Sequence, residues 1–450
     1  MKTNNENLML GHRPTFTKGV FKGLTKEEVS WAWFDWANQS YTMIVGTVIL
    51  SMYFMSITTT SLQANGLTPD EASTMAGTYW AFANSISTLI VGLMAPILGT
   101  LSGYHGKKKF LFNVFAFIGI VGTFSLALVP PQLWFVLLVV FVIAGIGFSG
   151  GTKIFDAFLV DVAEDKNMNR VSTLSFGMGY IGGAIAFIFS ILLILLVEFG
   201  VLNIQLYTAY RISFAWAALW WAIFSIPMLK NVQQVFGVVE EEQYIKKSFI
   251  RVGTTIKDIW QTKGVFTFLI AFFLYSDGVR SIITMATAYG EQIGLSAMTL
   301  LMVLLVTQFV AFPCAIIYGK LADKFSARTM IYVGITTYVI ICLIGLFMNP
   351  ERDLETLTLM FWALAMLVGT AQGGIQALSR SYFGQLVPKE KSNEFFGIYN
   401  IFGRFASIIG TTLFGVVSMA TGQPHYGIAV IAVLFIAAAI IFKFVPKTAN

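Results

Sequence analysis

The sequence predicts an all-α membrane protein of twelve transmembrane helices in two six-helix bundles. Three observations predict it. Apolar residues make up 56% of the 450 and charged residues only 12%, against about 25% charged in a soluble protein, and the mean hydropathy is +0.74. Apolar stretches long enough to cross roughly 30 Å of hydrocarbon, about 20 residues each, recur twelve times. The basic residues between them alternate in density, as the positive-inside rule requires of a multi-span chain.

Residues 1–30 form a polar tail with no short apolar stretch and no small-residue cleavage site, so the first span is expected to serve as the insertion signal. The first bundle, 31–229, has spans near Trp31–Ile57, Met75–Leu101, Phe110–Val129, Leu133–Ala163, Val171–Val197 and Tyr207–Leu229. A charged interval at 230–263, with Glu240, Glu241, Glu242, Lys246 and Lys247, reads as a linker on the cytoplasmic side. The second bundle, 264–446, has spans near Gly264–Tyr289, Ala297–Leu321, Thr329–Met348, Leu357–Val387, Phe395–Ala420 and Gly427–Val445, and a short tail, 447–450, follows.

Orientation rests on lysine and arginine. Lys107, Lys108 and Lys109, Lys166 and Arg170, the linker lysines, Lys320, Lys324 and Arg328, and Lys389 and Lys391 share one side with both tails; the other side holds Arg211 and Arg352. Both termini are therefore expected in the cytoplasm of a cell-membrane protein. The net charge of +6 then reflects retention and anionic-lipid contact rather than nucleic acid. Cys314 and Cys342 both fall inside spans, so packing is expected of them and not a disulfide. Trp31, Trp33, Trp36, Trp80, Trp216, Trp220 and Trp221 fall mostly near span ends, where interface anchoring is the default expectation.

The halves echo one another. Gly99-Thr-Leu-Ser-Gly-Tyr-His-Gly-Lys-Lys follows the second span and Gly319-Lys-Leu-Ala-Asp-Lys-Phe-Ser-Ala-Arg the eighth. Both fit a tight basic turn in which glycine allows close helix approach. Gly319, Asp323 and Arg328 mark it as a conformational loop. Gly177, Gly179, Gly182 and Gly183 in span five, with Gly403 and Gly410 in span eleven, are likewise read as close helix contacts.

Ionisable side chains sit in spans one, four, seven and ten: Asp35, Lys153, Asp156, Asp277, Arg280 and Arg380. A charge at the centre of a bilayer costs roughly 2.5–3.5 kcal/mol on insertion scales, so it turns to protein or to a wet cavity. Residues three or four apart share a helix face. One-sided polar stripes follow: Asp35, Asn38 and Thr42; Ser149, Lys153 and Asp156; Asp277, Arg280, Thr284 and Thr287; Gln372, Gln376 and Arg380. The pattern points to a solute path, with Asp277, Arg280, Gln372, Gln376, Asn38 and Lys153 as substrate contacts and Asp156 with Arg380 as a gate. Two roles fit Asp35, an interfacial carboxylate or a proton-coupling acid. Lys153/Asp156 and Asp277/Arg280 also fit neutralising pairs that aid insertion.

The chain resembles the major facilitator superfamily and, within it, the vacuolar amino-acid effluxers related to autophagy. The resemblance is carried by Trp33-Phe-Asp-Trp-Ala-Asn-Gln-Ser-Tyr41, Leu274-Tyr-Ser-Asp-Gly-Val279, Gly373-Gly-Ile-Gln-Ala-Leu-Ser-Arg-Ser381 and Glu394-Phe-Phe-Gly-Ile-Tyr-Asn400. It implies a twelve-helix secondary transporter and, for some members, amino-acid export. Asp156, Lys153 and Arg280 depart from the family's usual pattern, which puts substrate choice in question.

No His-Glu-x-x-His, Walker-type phosphate loop or Cys-x-x-Cys occurs, so no metal site, cofactor or enzymatic activity is expected. The expected partners are a small-molecule solute and the lipid bilayer, with no nucleic acid, and the chain is expected to act as a monomer. The leading expectation is alternating-access transport of an amino acid or similar zwitterion. Its rival is a flippase for lipids or cell-envelope precursors, or an exporter of another small amphiphile.

Overall fold

A computed structural model describes residues 14–239, 244–349, 352–406 and 408–447. The acidic run at 240–243, most of the first tail and the side chain of Lys246 lie outside the described residues. Among the described residues, twelve helical stretches are long and apolar enough to cross a membrane.

The first span opens with α1 (Lys26–Ser40), passes through a π-helical stretch (Tyr41–Thr47) and continues as α2 (Ile49–Ala64). Its start is fixed by a capping box: Glu28 N donates to Thr25 Oγ1 at 3.2 Å and Thr25 N to Glu28 Oε2 at 2.7 Å. Then come α3 (Pro69–Ser102), α4 (Lys107–Leu126), α5 (Trp134–Val162), α6 (Asp165–Glu198) and α7 (Leu206–Asn231). The linker contains α8 (Tyr244–Gln261). Spans seven to ten are α9 (Lys263–Gln292), α10 (Ala297–Phe325), α11 (Ala327–Leu346) and α12 (Leu354–Leu386). Span eleven is two pieces, α13 (Ser392–Phe405) and α14 (Ile408–Thr421), and α15 (Pro424–Phe442) closes the set.

Packing divides the chain into two units: Met1–Phe158 with Met178–Glu241, and Leu159–Gly177 with Glu242–Asn450. The last turn of α5 and the start of α6 thus pack in the second unit.

In the first unit Trp31, Trp220 and Trp221 are core residues rather than interface anchors. Trp31 and Trp221 are fully buried and Trp220 nearly so. Trp31 stacks on Phe155 at 4.4 Å and its indole donates to Phe155 O at 3.0 Å. Trp36 stacks on Trp220, which meets Trp216 and Phe224. Large rings fill the space between helices, so their position near span ends says less than their helix face does. Glycines make room for them: a Cβ on Gly182 would stand 2.7 Å from both Trp36 Cδ2 and Trp36 O.

The two basic turns do matching work. In the first unit Gly106 takes φ +77° to start α4, and Lys109 Nζ donates to Met228 O and Val232 O, both at 2.7 Å, at the end of α7. In the second, Ser326 takes φ +82° before α11, and Arg328 donates to Val445 O and Lys443 O, both at 2.7 Å, past the end of α15. A cation there satisfies carbonyls that a helix end leaves unpaired. Gly319 lets α10 press on α6: a Cβ there would lie 2.1 Å from Thr173 Oγ1.

Candidate solute-binding site

The break in span eleven organises the centre of the second unit. α13 stops at Phe405 and Ala406 is extended, with φ −60° and ψ 141°. The first amides of α14 then need acceptors. Asp277, on α9 and 0% exposed, supplies them: Gly410 N donates to Oδ1 at 2.7 Å and Ile409 N to Oδ2 at 3.1 Å. Ser281, one turn along α9, adds a hydroxyl bond at 3.2 Å. A carboxylate at the positive end of a half-helix is a favourable placement for a mid-membrane charge. Gly410 is required by the approach, since a Cβ there would lie 2.8 Å from Asp277 Oδ1 and 2.3 Å from Ser281 Oγ.

Further along α9 lies a cavity of about 120 Å³, between α9, α10, α11, α12 and α15. Its walls are mostly aliphatic and aromatic, with Ile283, Leu300, Phe361 and Ile431 among them. Two of its polar groups are already engaged: Tyr289 donates to Met348 O at 3.0 Å and Thr307 to Val303 O at 2.7 Å. Gln372 differs. It is 5% exposed, and its Nε2 has no hydrogen-bond partner among the described residues. A buried, unmet amide donor costs about 1–3 kcal/mol. Such a site, an apolar pocket with a few convergent polar groups, is the usual form of a small-molecule site.

The residues predicted to meet solute therefore separate. Gln372 lines the cavity; Asp277, Arg280 and Gln376 do not. Asp277 is committed to α14. Arg280 is exposed on α9, on the face shared with Ile283 and Thr287, which do line the cavity. Gln376 is half-buried one turn beyond Gln372.

In the first unit Asn38 is buried, and its Nδ2 has no partner among the described residues; the same holds for Thr42 Oγ1, one turn on. Asp35 is buried beside Gly179, where a Cβ would lie 3.4 Å from the Asp35 Cβ. Lys153 and Asp156 are half-buried on α5.

Arg380 is held in the second unit by α6. It donates Nε to Ser172 Oγ at 3.0 Å and Nη2 to Ser172 O at 3.2 Å, and its guanidinium lies 4.5 Å from the centre of the Phe176 ring. Ser381 donates to Asn169 Oδ1 at 2.7 Å on the same seam. Sequence reasoning missed Ser172, Asn169 and the cap on α14. Their signal in the chain is faint, a serine or asparagine on an inner helix turn and a glycine three residues after a break.

The family model described as "Vacuole effluxer Atg22 like" matches residues 25–449. The chain belongs to this Atg22-like family. The MFS-type transporter YxiO of Bacillus subtilis is 45% identical over 428 residues, 95% of this chain and 96% of the relative. Autophagy-related protein 22-1 of Aspergillus fumigatus is 25% identical over 317 residues, 64% of this chain. That match spans 50% of the fungal protein's own length. Autophagy-related protein 22 of Kluyveromyces lactis is 23% identical over 366 residues, 75% of this chain and 73% of the relative. Among solved structures, the proton:xylose symporter XylE superposes with a TM-score of 0.71 at 12% identity, covering 94% of this chain and 96% of that one. FucP, in an outward conformation, gives 0.65 at 16% identity over 94% and 100%. The fold is that of the major facilitator superfamily, and this Atg22-like chain is a multi-pass membrane transporter of the secondary type for small solutes.

Proposed function

We propose that this Atg22-like transporter carries an amino acid or a similar zwitterion with an apolar side chain, by alternating access, in a cell membrane with both termini in the cytoplasm. The observation that carries the substrate reading is the unmet Gln372 amide in an otherwise apolar cavity. The side chain of the solute fills the cavity, Gln372 donates to its carboxylate, and Arg280 supplies the opposite charge from the adjoining face of α9. Asp277 contributes by holding α14. Asp35 is the proton-coupling acid in this reading. Arg380 and Asp156 act in gating, Arg380 through its hold on Ser172. The lysine asymmetry supports the orientation, and the family's description as an effluxer supports export.

Proteoliposomes containing the full chain, loaded with labelled amino acids and given a pH gradient, test this directly. Expected are gradient-dependent flux and its loss in Arg280→Ala. Flux indifferent to the gradient and unchanged in Asp35→Asn removes proton coupling. The nearly all-apolar lining also favours a second reading, movement of a small amphiphile or lipid. Amino-acid flux at background, with fluorescent lipid crossing the bilayer faster than in protein-free vesicles, would select that reading.

A further inference from the structure

The linker helix α8 is fastened on one side and bare on the others. Ser248, Thr255 and Ile259 form its packed face. Thr255 Oγ1 donates to Glu394 Oε2 at 2.6 Å, and Arg251 pairs with the other oxygen of Glu394. Glu394 is 3% exposed at the start of α13. Lys391 Nζ bonds Asp258 Oδ2 at 2.7 Å. An ordinary solvent-facing linker helix would turn polar residues outward from such a mount. Here Ile256 and Trp260, one turn apart, are 53% and 67% exposed, and Ile250 is exposed as well.

The apolar edge is not isolated. The Trp260 ring lies 4.4 Å from that of Phe266, in the first turn of a membrane span that begins at Gly264. The edge is thus continuous with the surface that the span presents to the bilayer. About a quarter-turn around the helix stands Lys257, exposed. Asp258, the acid of this segment, is engaged by Lys391. A helix with tryptophan and isoleucine along one edge and a lysine beside them lies in an interface, apolar edge in the acyl boundary and the ammonium group among headgroups.

We propose that α8 is a docking site for anionic phospholipid, with Ile256 and Trp260 seated at the acyl boundary and Lys257 binding the headgroup phosphate. The Glu394 mount fixes the helix at that depth and ties it to α13, the first piece of the broken span.

The test uses the full chain in lipid nanodiscs and tryptophan quenching by brominated lipids. The difference between the native chain and Trp260→Phe isolates the Trp260 signal. Each lysine near the surface enriches anionic lipid about fivefold at low ionic strength. Brominated phosphatidylglycerol at a low mole fraction is therefore expected to quench Trp260 several-fold more than brominated phosphatidylcholine at the same fraction. The preference should disappear in Lys257→Glu while quenching by the neutral lipid persists; Lys257→Gln gives the same comparison with a milder change. Equal quenching of Trp260 by the two lipids in the native chain overturns the proposal. So does an absence of Trp260 quenching by either lipid, which would make this edge a surface for a soluble partner.

Discussion

The first helix of each unit carries a polar stripe, and the two units surround it differently. Around α1, rings close the space: Trp36, Trp220, Trp216 and Phe224 pack on one side, and Tyr41 stacks on Phe148 at 4.5 Å on another. Rings also close around the first half of α9, where Phe272 stacks on Tyr399 at 4.2 Å, but along its second half the space stays open as a cavity, and the charged member of the stripe is spent on a neighbouring helix end. Filling a unit with rings gives rigidity through close packing. Leaving a pocket costs contact energy, so the second unit needs other ties, and the Asp277 cap and the Arg380–Ser172 seam provide them.

Seven substitutions at six positions probe that contrast. Asp277→Leu should do most harm. It leaves the amides of Ile409 and Gly410 without acceptors, at about 1–3 kcal/mol each, and thermal unfolding of the purified chain should show the loss. Asp277→Asn keeps one acceptor oxygen and should fall between. An Asp277→Leu chain as stable as the native one would remove the cap from the account.

Gly182→Ala attacks the ring-filled unit. Its methyl meets the Trp36 carbonyl oxygen, which is backbone and cannot swing aside, so a loss of about 1–3 kcal/mol is expected. Gly410→Ala meets a serine hydroxyl that can rotate but also the Asp277 oxygen, and should cost a similar amount. Equal tolerance of both changes would mean that the two interiors are softer than their spacing implies.

Gln372→Leu separates function from stability. Removing an unmet buried amide should leave thermal stability unchanged or raise it. Solute affinity should fall about tenfold, the loss of one hydrogen bond of ~1.4 kcal/mol. A parallel fall in both would make Gln372 a packing residue.

The smallest effects are expected at the paired turns. Ser326→Gly relieves a backbone conformation that costs about 1–3 kcal/mol in a non-glycine residue. It gives up the bond that Thr329 N donates to Ser326 Oγ and adds unfolded-chain freedom, for a net gain of up to about 1 kcal/mol. Gly106→Ser in the other unit should lose about 1–2 kcal/mol. Differential calorimetry of the two variants measures how far the repeats remain interchangeable.

The membrane class and the twelve spans were legible because hydropathy is a local property that each stretch carries by itself. Gln372 was legible for the same reason, as part of a stripe on one helix. The partner of Asp277 was not, because Gly410 stands 133 residues away and nothing around Ala406 forbids a continuous helix. Trp31 and Trp221 misled because a tryptophan near a span end suits either the interface or the core, and only neighbours such as Phe155 decide. Arg380 was placed on the right helix, but its hold on Ser172 depends on which turn of α6 packs there, which periodicity does not encode.

The Asp277 cap also bears on biogenesis. Span seven leaves the ribosome long before Ile409 and Gly410 have been made, so its carboxylate enters the bilayer without the amides that later hold it. Arg280, one turn further on, is the nearest compensating charge during that interval. The Asp277 carboxylate therefore gains these two backbone donors only when the eleventh crossing arrives.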